Sequence, residues 1–535
     1  MPALASIILN GLAASYPLPG VFLQLDFAQG PVGGSGSQRA AVLIGNKTAS
    51  GSATVETVIY GPDTQTPCQT ENDVINLFGA GSQLHRAYLR WTAVNKVTSL
   101  YFVAIAASAG AAATLGETIA TTATANGNHR TWCVDQFVDT AINNGDTATT
   151  IAANIVLSVN SQTRWPVTAN NAAGVITYTA KNTGPEGNWI RMQALITSSG
   201  TIGTTTTLTA NTFLSGGATA DINTNALATI LPAKYYTIVS CDSDSTNLGR
   251  IVTQVTNNAQ PTTGIRQYGI GGSMDTLANT ITVATALNSP RAELVWGNCT
   301  DLTPLDLAAN AAALYALLEI GAQYGVARKN FSLFPATSTD SNVWLPTIAG
   351  GTNLPGAGGR GGLAVAPTNA QLVSALNNGI TPITQFTSGQ AQLVKRCTTK
   401  SLTGANQDYR IRDAHKRVVC DYWADDAVAI TQLSFGGKDL LPDPLPGAPP
   451  LPSTATSPGA WGGALKGLTL NYGNAGQWGY PPNVPVVVGL SPADVINANA
   501  KVQQENNPNT RMSALFQLSP VPLADQFAVL AQQVG

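Results

Sequence analysis

Hydrophobic positions along this chain change period several times, and each change marks a different kind of element. Val21, Leu23, Leu25 and Phe27 alternate with Phe22, Gln24 and Asp26, which predicts a strand, and residues 40–45 form a second, apolar one. Thr70 followed three residues later by Asp73 marks a helix start. Ser82 opens another helix, in which Leu84, Tyr88, Trp91 and Val94 recur at helical spacing. A strand over 100–106 follows. From about 111 to 217 the texture turns to Thr, Ala, Asn and Gly with short alternating runs such as Val175, Thr177 and Thr179, the pattern of an inserted β-rich domain. Beyond Asp221, strands at 235–241, 264–270 and 292–296 alternate with helices at 248–256 and 277–287. A helix over 304–320 has Thr303 as its cap, Pro304 at its first position and Asp306 at its third. Such alternation predicts a parallel sheet covered on both faces.

From 381 the pattern becomes mixed. A strand region at 384–395 precedes a candidate helix over 409–433, and a Pro-rich run at 441–452 interrupts the chain. Residues 511–518 read as a strand broken by Pro520 and Pro522. In the last segment Phe527, Val529 and Ala531 alternate, while Leu523, Phe527 and Leu530 also fit a helix, so period alone leaves both open. The first apolar segment, Ile7, Ile8 and Leu9, is cut off by Gly11 and the breaker at 16–20. Both ends therefore read as arms suited to pairing with neighbouring copies. The fold class expected is α/β plus β and multidomain. It comprises an arm at 1–25, an α/β core from 26–110 with 219–385, a β-rich insert at 111–218, an α+β domain at 386–520 and an arm at 521–535.

Composition narrows the function. Charged residues are 10% of 535, against roughly 25% in ordinary globular domains, so the surface is largely neutral and polar and suits close subunit packing. A formal charge of −2 leaves no basic excess for a phosphate backbone or an anionic membrane. The uncharged run at 97–116 reads as the 100–106 strand entering a loop rather than a membrane helix. No Lys or Arg precedes Ile7, whereas a secretory signal expects a basic start. Cys68, Cys133, Cys241, Cys299, Cys397 and Cys420 are scattered without a CxxC pair, and the histidines are His85, His129 and His415. Neither a zinc framework nor a disulfide scaffold is expected, and isolated thiols fit a reducing compartment.

The sharpest catalytic lead is Asp242-Ser243-Asp244-Ser245-Thr246 after the 235–241 strand. It resembles the first motif of haloacid-dehalogenase-type phosphohydrolases, where the first carboxylate attacks phosphorus and the second acts as general acid. The competing reading is a polar turn whose Asp caps the next helix. Gly269-Ile270-Gly271-Gly272 lacks a third spaced glycine and a P-loop lysine, and reads as a tight turn. The stretch at 356–362, containing Arg360, reads as a surface loop. His85 lies on the Ser82 helix, His129 in a Thr/Asn loop and His415 among basic residues, without metal-ligand spacing. Along the 409–433 helix, Arg410, Arg412, Lys416 and Arg417 come first, and Asp421, Asp425 and Asp426 come last. That order opposes the helix dipole. Either an acidic partner surface explains it, or a solvated face with an Asp413–Arg417 pair does.

Several stretches carry a wider resemblance: Pro19-Gly20-Val21, Asp73-Val74-Ile75-Asn76-Leu77-Phe78-Gly79 with Gly81-Ser82-Gln83-Leu84, Ala375-Leu376-Asn377-Asn378-Gly379-Ile380-Thr381-Pro382, Leu393-Val394-Lys395-Arg396-Cys397-Thr398-Thr399 and Asn507-Pro508-Asn509. With them the chain resembles contractile-tail sheath proteins of Mu-like bacteriophages. The resemblance implies a non-enzymatic virion subunit without cofactor or metal, assembled in the host cytoplasm as a homo-oligomer of stacked six-fold rings around a tail tube. Tube, baseplate and tail terminator proteins are the implied partners, with no nucleic acid and no direct membrane insertion. Contraction would drive the tube into the host envelope. Strand exchange would use Ile7, Ile8 and Leu9 at one end and Phe527, Val529 and Leu530 at the other, and Arg410, Arg412, Lys416 and Arg417 would face the tube. The alternatives are a phosphohydrolase using Asp242 and Asp244, and a non-contractile virion or surface-layer protein.

Overall fold

Six strands run parallel through the centre of a nine-stranded sheet, in the order Leu100–Ile105, Ala41–Asn46, Thr237–Ser240, Tyr268–Ser273, Ala292–Trp296 and Thr381–Gln385. The computed structural model describes residues 39–197, 201–209, 212–231, 233–297, 302–320, 327–330, 367–385, 391–408, 412–447, 449–474, 478, 489–504, 511–518 and 520. Antiparallel strands close both edges of the sheet: Val58–Ile59 at one, Ala391–Lys395 and then Ala327–Asn330 at the other. The central strands are apolar on both faces because both are covered, as parallel sheets require.

Alternation along each strand sorts its side chains into two layers. Ala41, Leu43, Phe102, Val239, Ile270 and Val295 share one core with the helices Glu71–Phe78, Gln83–Thr92, Pro304–Ile320, Ala414–Phe435 and Pro458–Asn474. Val42, Ile44, Val103 and Ile238 point the other way, onto Thr224–Thr229 and Ser245–Asn258. Leu294 and Trp296 meet Leu277–Leu287 and Asn369–Asn377 on that same side. Local chemistry fixes the helix ends. Thr70 and Asp73 form a reciprocal capping box, and Ser82 accepts from the His85 amide. Between them Gly79, at a φ of 81°, closes the first helix in a conformation that excludes most side chains.

The insert has its own core, built from two four-stranded sheets and the helix Ala148–Ser161, which contributes Ile151, Ile155 and Val159. The β-rich reading overlooked this helix, whose small and β-branched residues resemble those of the surrounding strands. Ile176 and Tyr178 point into the core, and the alternating Val175 and Thr177 are exposed.

Three further expectations are corrected. The strand expected at 264–270 lies at Tyr268–Ser273, because Gly264 takes a positive φ in a turn. Gly269, Gly271 and Gly272 therefore lie within a buried strand and not in a turn. A Cβ on Gly269 would sit 2.3 Å from Ile251 Cγ2, and one on Gly272 would sit 1.9 Å from the Pro304 carbonyl oxygen. These glycines let helices approach the sheet closely. The boundary drawn at 385/386 falls inside the antiparallel pair Thr381–Gln385 and Ala391–Lys395. Moreover, Val418, Val419, Tyr422 and Trp423 of the Ala414–Phe435 helix belong to the main core, so the C-terminal region and the sheet share one interior.

Beyond that helix, Pro458–Asn474 and Pro492–Asn499 approach one another at Gly473, and Lys501–Gln504 pairs antiparallel with Met512–Leu515. Among the described residues no helix is long and apolar enough to cross a membrane. The terminal arms, including Ile7, Ile8, Leu9, Phe527, Val529 and Leu530, lie outside the described residues, as do Arg410 and the loop at 356–362.

Candidate functional site

The charges on the Ala414–Phe435 helix meet the chain's own sheet. Arg417 is fully buried and donates to Glu293 Oε1 at 2.6 Å, so it is corrected from a tube-facing residue to an internal one. Arg396 brackets the same carboxylate, donating from Nε at 2.9 Å and from Nη2 at 3.0 Å, while its Nη1 reaches Glu319 at 2.8 Å. One turn along the helix, Asp421 accepts both Nη1 and Nη2 of Arg291, at 3.0 and 2.9 Å, and the Tyr236 hydroxyl at 3.2 Å. Asp425 gathers Arg39 at 2.6 Å, Lys234 at 2.6 Å and Arg266 at 2.7 Å. The Arg39 guanidinium is also sandwiched between Tyr236 and Tyr422, 3.9 and 3.5 Å from their ring centres. Burial pushes the Asp421 carboxyl up, but Arg291 and Arg417 outweigh it and hold the pKa below the usual range.

For Arg417, Asp421 and Asp425, the charge order that opposed the helix dipole is thus set by intramolecular pairing. The Asp413–Arg417 pair does not form either: Asp413 meets Lys395 at 3.0 Å, and the helix begins at Ala414 rather than 409. Arg412 donates to the Asn377 side chain, and Lys416 is half-buried. Glu293 on its strand, and Arg291 and Arg396 at the ends of two strands, were not singled out as charged sites from the sequence. Their signal was a charge embedded in runs such as Ala292-Glu293-Leu294-Val295-Trp296, in a chain where charge is scarce. A charged residue in a strand buried on both faces has to find a partner.

A second cluster lies where the sheet order reverses, between the carboxyl ends of Ala41–Asn46 and Thr237–Ser240. That crevice is where open α/β sheets usually bind ligands. Here the insert fills it. Glu186, on the 3₁₀ turn Pro185–Trp189, accepts both the amide and the hydroxyl of Ser243 at 2.7 Å. Asp221 accepts from the Asn46 side-chain amide and, at 2.5 Å, from the Ser108 amide. The cavity left beside Glu186 and Cys241 is 40 Å³, enough for a few waters. Ligand pockets are roughly 300–1,000 Å³.

Asp244 accepts the amides of Thr246 and Asn247 at 3.0 and 2.9 Å, so the capping reading of the Asp242–Thr246 motif is the observed one. Asp244→Ala is expected to lower stability by about 1 kcal/mol, a small downward shift of the thermal midpoint that Asp244→Asn should largely avoid. Burial, with Glu186 beside it, drives the Asp242 pKa far above the carboxylate range, the opposite of what a phosphorus-attacking nucleophile requires.

The histidines pair with acids. His85 Nε2 lies 3.0 Å from Glu71, and buried His129 lies 2.7 Å from Glu117 on the strand Gly127–Cys133 rather than in a loop. His415 is buried as well, and no group of three or more metal-ligating side chains occurs among the described residues. Of the thiols, Cys133, Cys241, Cys397 and Cys420 are buried and unbridged, and burial pushes those of Cys133 and Cys397 up to about 12.

Fold and site together define a doubly wound α/β protein whose switch-point crevice is closed by its own insert and whose layers are tied by buried ion pairs. In sequence it is similar to the Mu-like prophage FluMu tail sheath protein of Haemophilus influenzae, with 28% identity over 190 residues. That alignment covers 35% of this chain and 37% of the relative, so the match spans little more than a third of the Haemophilus protein. No family model matches. Among solved structures, the sheath tail protein of Desulfitobacterium hafniense aligns over 94% of this chain and 100% of its own, with 12% identity and a TM-score of 0.44. The contracted helical sheath of the anti-feeding prophage aligns over 97% and 99%, with 11% identity and a TM-score of 0.43.

Proposed function

We propose that this chain is a non-enzymatic subunit of a contractile tail sheath, polymerising as stacked rings around a tail tube. The observation that carries this reading is the 190-residue similarity to a Mu-like prophage tail sheath protein. The low charge of the chain supports it, since a neutral polar surface opposes self-association weakly. So does the closed crevice, which leaves the usual α/β ligand position filled by Glu186.

On this reading the main sheet, the helices covering it and the Ala414–Phe435 helix act as one rigid body. Its ion pairs resist the shear of a moving lattice, while lattice contacts change between two packings. The arms at 1–25 and 521–535 join neighbouring subunits by strand addition. Arg410, Arg412 and Lys416 remain the basic candidates for a tube-facing surface, without Arg417.

Electron microscopy of the purified full-length chain tests the proposal. Helical tubes of two diameters are expected, and a chain lacking 1–25 should remain folded without forming them. Featureless monomers under all conditions would overturn the reading, and tubes of one invariant diameter would indicate a non-contractile virion or surface-layer protein.

A further inference from the structure

The insert and the sheet have separate apolar cores; Trp189 of the insert packs against the main one, and the other contacts named here between them are polar. Arg90 reaches Asp135 at 2.8 Å, Arg164 grips Glu71, Lys181 donates to the Ala80 carbonyl, and Glu186 holds Ser243. At the last of these the two sides bring carboxylates together. Glu186 comes from the insert, and Asp242 from the end of a core strand.

Asp242 is 4% exposed, and its Oδ2 has no hydrogen-bond partner. Its neighbours do not relieve it. Asp221 and Asp244 also face the pair, with the oxygens of each taken up by amide donors. Gln83, close to Asp242, favours its charged form only weakly beside the burial. Among nearby cations, Arg86 is committed to Asp306, Arg250 to Asn247 and Lys181 to two backbone carbonyls. A buried ionised carboxylate oxygen with no donor is expensive to maintain, whereas a proton makes it neutral and a donor.

We propose that one proton held by Glu186 and Asp242 latches the insert to the sheet, and that losing it as pH rises loosens the latch. Burial, followed by the opposing hydrogen bonds from Ser243 and then the charges of Asp244 and Asp221, leaves the Glu186 pKa at about 7 instead of 4.5. The sign follows from proton counting. Between those values the docked state binds more protons than the open one, so docking is strongest near 4.5, weakens with rising pH and levels off above about 7. One proton changes the equilibrium by about tenfold per pH unit. The inference stands independently of the assembly role.

Hydrogen exchange on the full-length chain, corrected for intrinsic rates, tests it from about pH 5 to about pH 8. Protection of the Ser243 amide should fall about tenfold per unit up to about pH 7 and then flatten, while Ile151 and Ile155 inside the insert stay protected. Asp242→Asn and Glu186→Gln, which remove the titration and keep the shape, should each flatten the profile. A flat wild-type profile would overturn the proposal, as would an unchanged slope in both variants. Simultaneous loss of protection at Ser243 and Ile151 would overturn it too, since that reports unfolding of the insert rather than its release.

Discussion

Replacing Glu293 by alanine is expected to lower stability by about 3–5 kcal/mol, because Arg396 and Arg417 would then be left in the core without their shared carboxylate. Both guanidiniums donate to Glu293, and neither has an open route to solvent, with exposures of 2% and 0%. Glu319 still holds one nitrogen of Arg396, and Arg417 keeps the Pro290 carbonyl at 3.1 Å with Asp421 4.0 Å away, so both guanidiniums lose part of their pairing. Chemical denaturation followed by tryptophan fluorescence would report it, since Trp423 lies on the same helix and is buried. The control is Arg130→Ala. Its pair with Asp139 has side chains 39% and 40% exposed, so its removal should change stability by less than about 1 kcal/mol. Equal effects of the two substitutions would mean that the buried network does not brace the helix.

Gly272→Ala should be the other large effect. The added Cβ would lie 1.9 Å from the Pro304 carbonyl oxygen and 2.7 Å from its carbon, and a backbone cannot rotate away as a side chain can. The strand Tyr268–Ser273 or the first turn of Pro304–Ile320 must shift, which costs about 3 kcal/mol or more. Gly467, inside the helix Pro458–Asn474, has nothing within 4 Å of its Cβ position. Gly467→Ala should therefore raise stability by about 0.5–1 kcal/mol through helix propensity. Thermal unfolding of the two variants should give shifts of opposite sign, and two similar shifts would refute the packing argument.

Much of the α/β layer was legible because its signals are short. The helices at 277–287 and 304–320 and the strand at 292–296 lie where their periodicity put them. The Thr70 and Ser82 caps satisfy amides three residues ahead. The candidate chemistry was less legible. Asp244 behaved as the cap that its position before a helix suggested. Asp242, Arg417 and the glycines at 269–272 took roles that no local pattern distinguishes from a nucleophile, a surface cation or a turn. The helix Ala148–Ser161 was missed for a related reason, because its Thr-, Ile- and Val-containing sequence has the composition of the strands around it.

By itself the sequence determined the bounds of elements with strong caps and periodicity, such as 277–287, 292–296 and 304–320, which faces are apolar, and that charge would be scarce enough for each embedded Arg or Glu to need a partner. Those properties act over one or two turns of chain. Tertiary structure decided which partners those are. Arg417 meets Glu293 across 124 residues, Arg291 meets Asp421 across 130, and Glu186 crosses 57 residues to close the crevice at Ser243. A buried charge is stabilised by whichever opposite charge the fold brings within about 3 Å, and nothing in the spacing along the chain encodes that meeting.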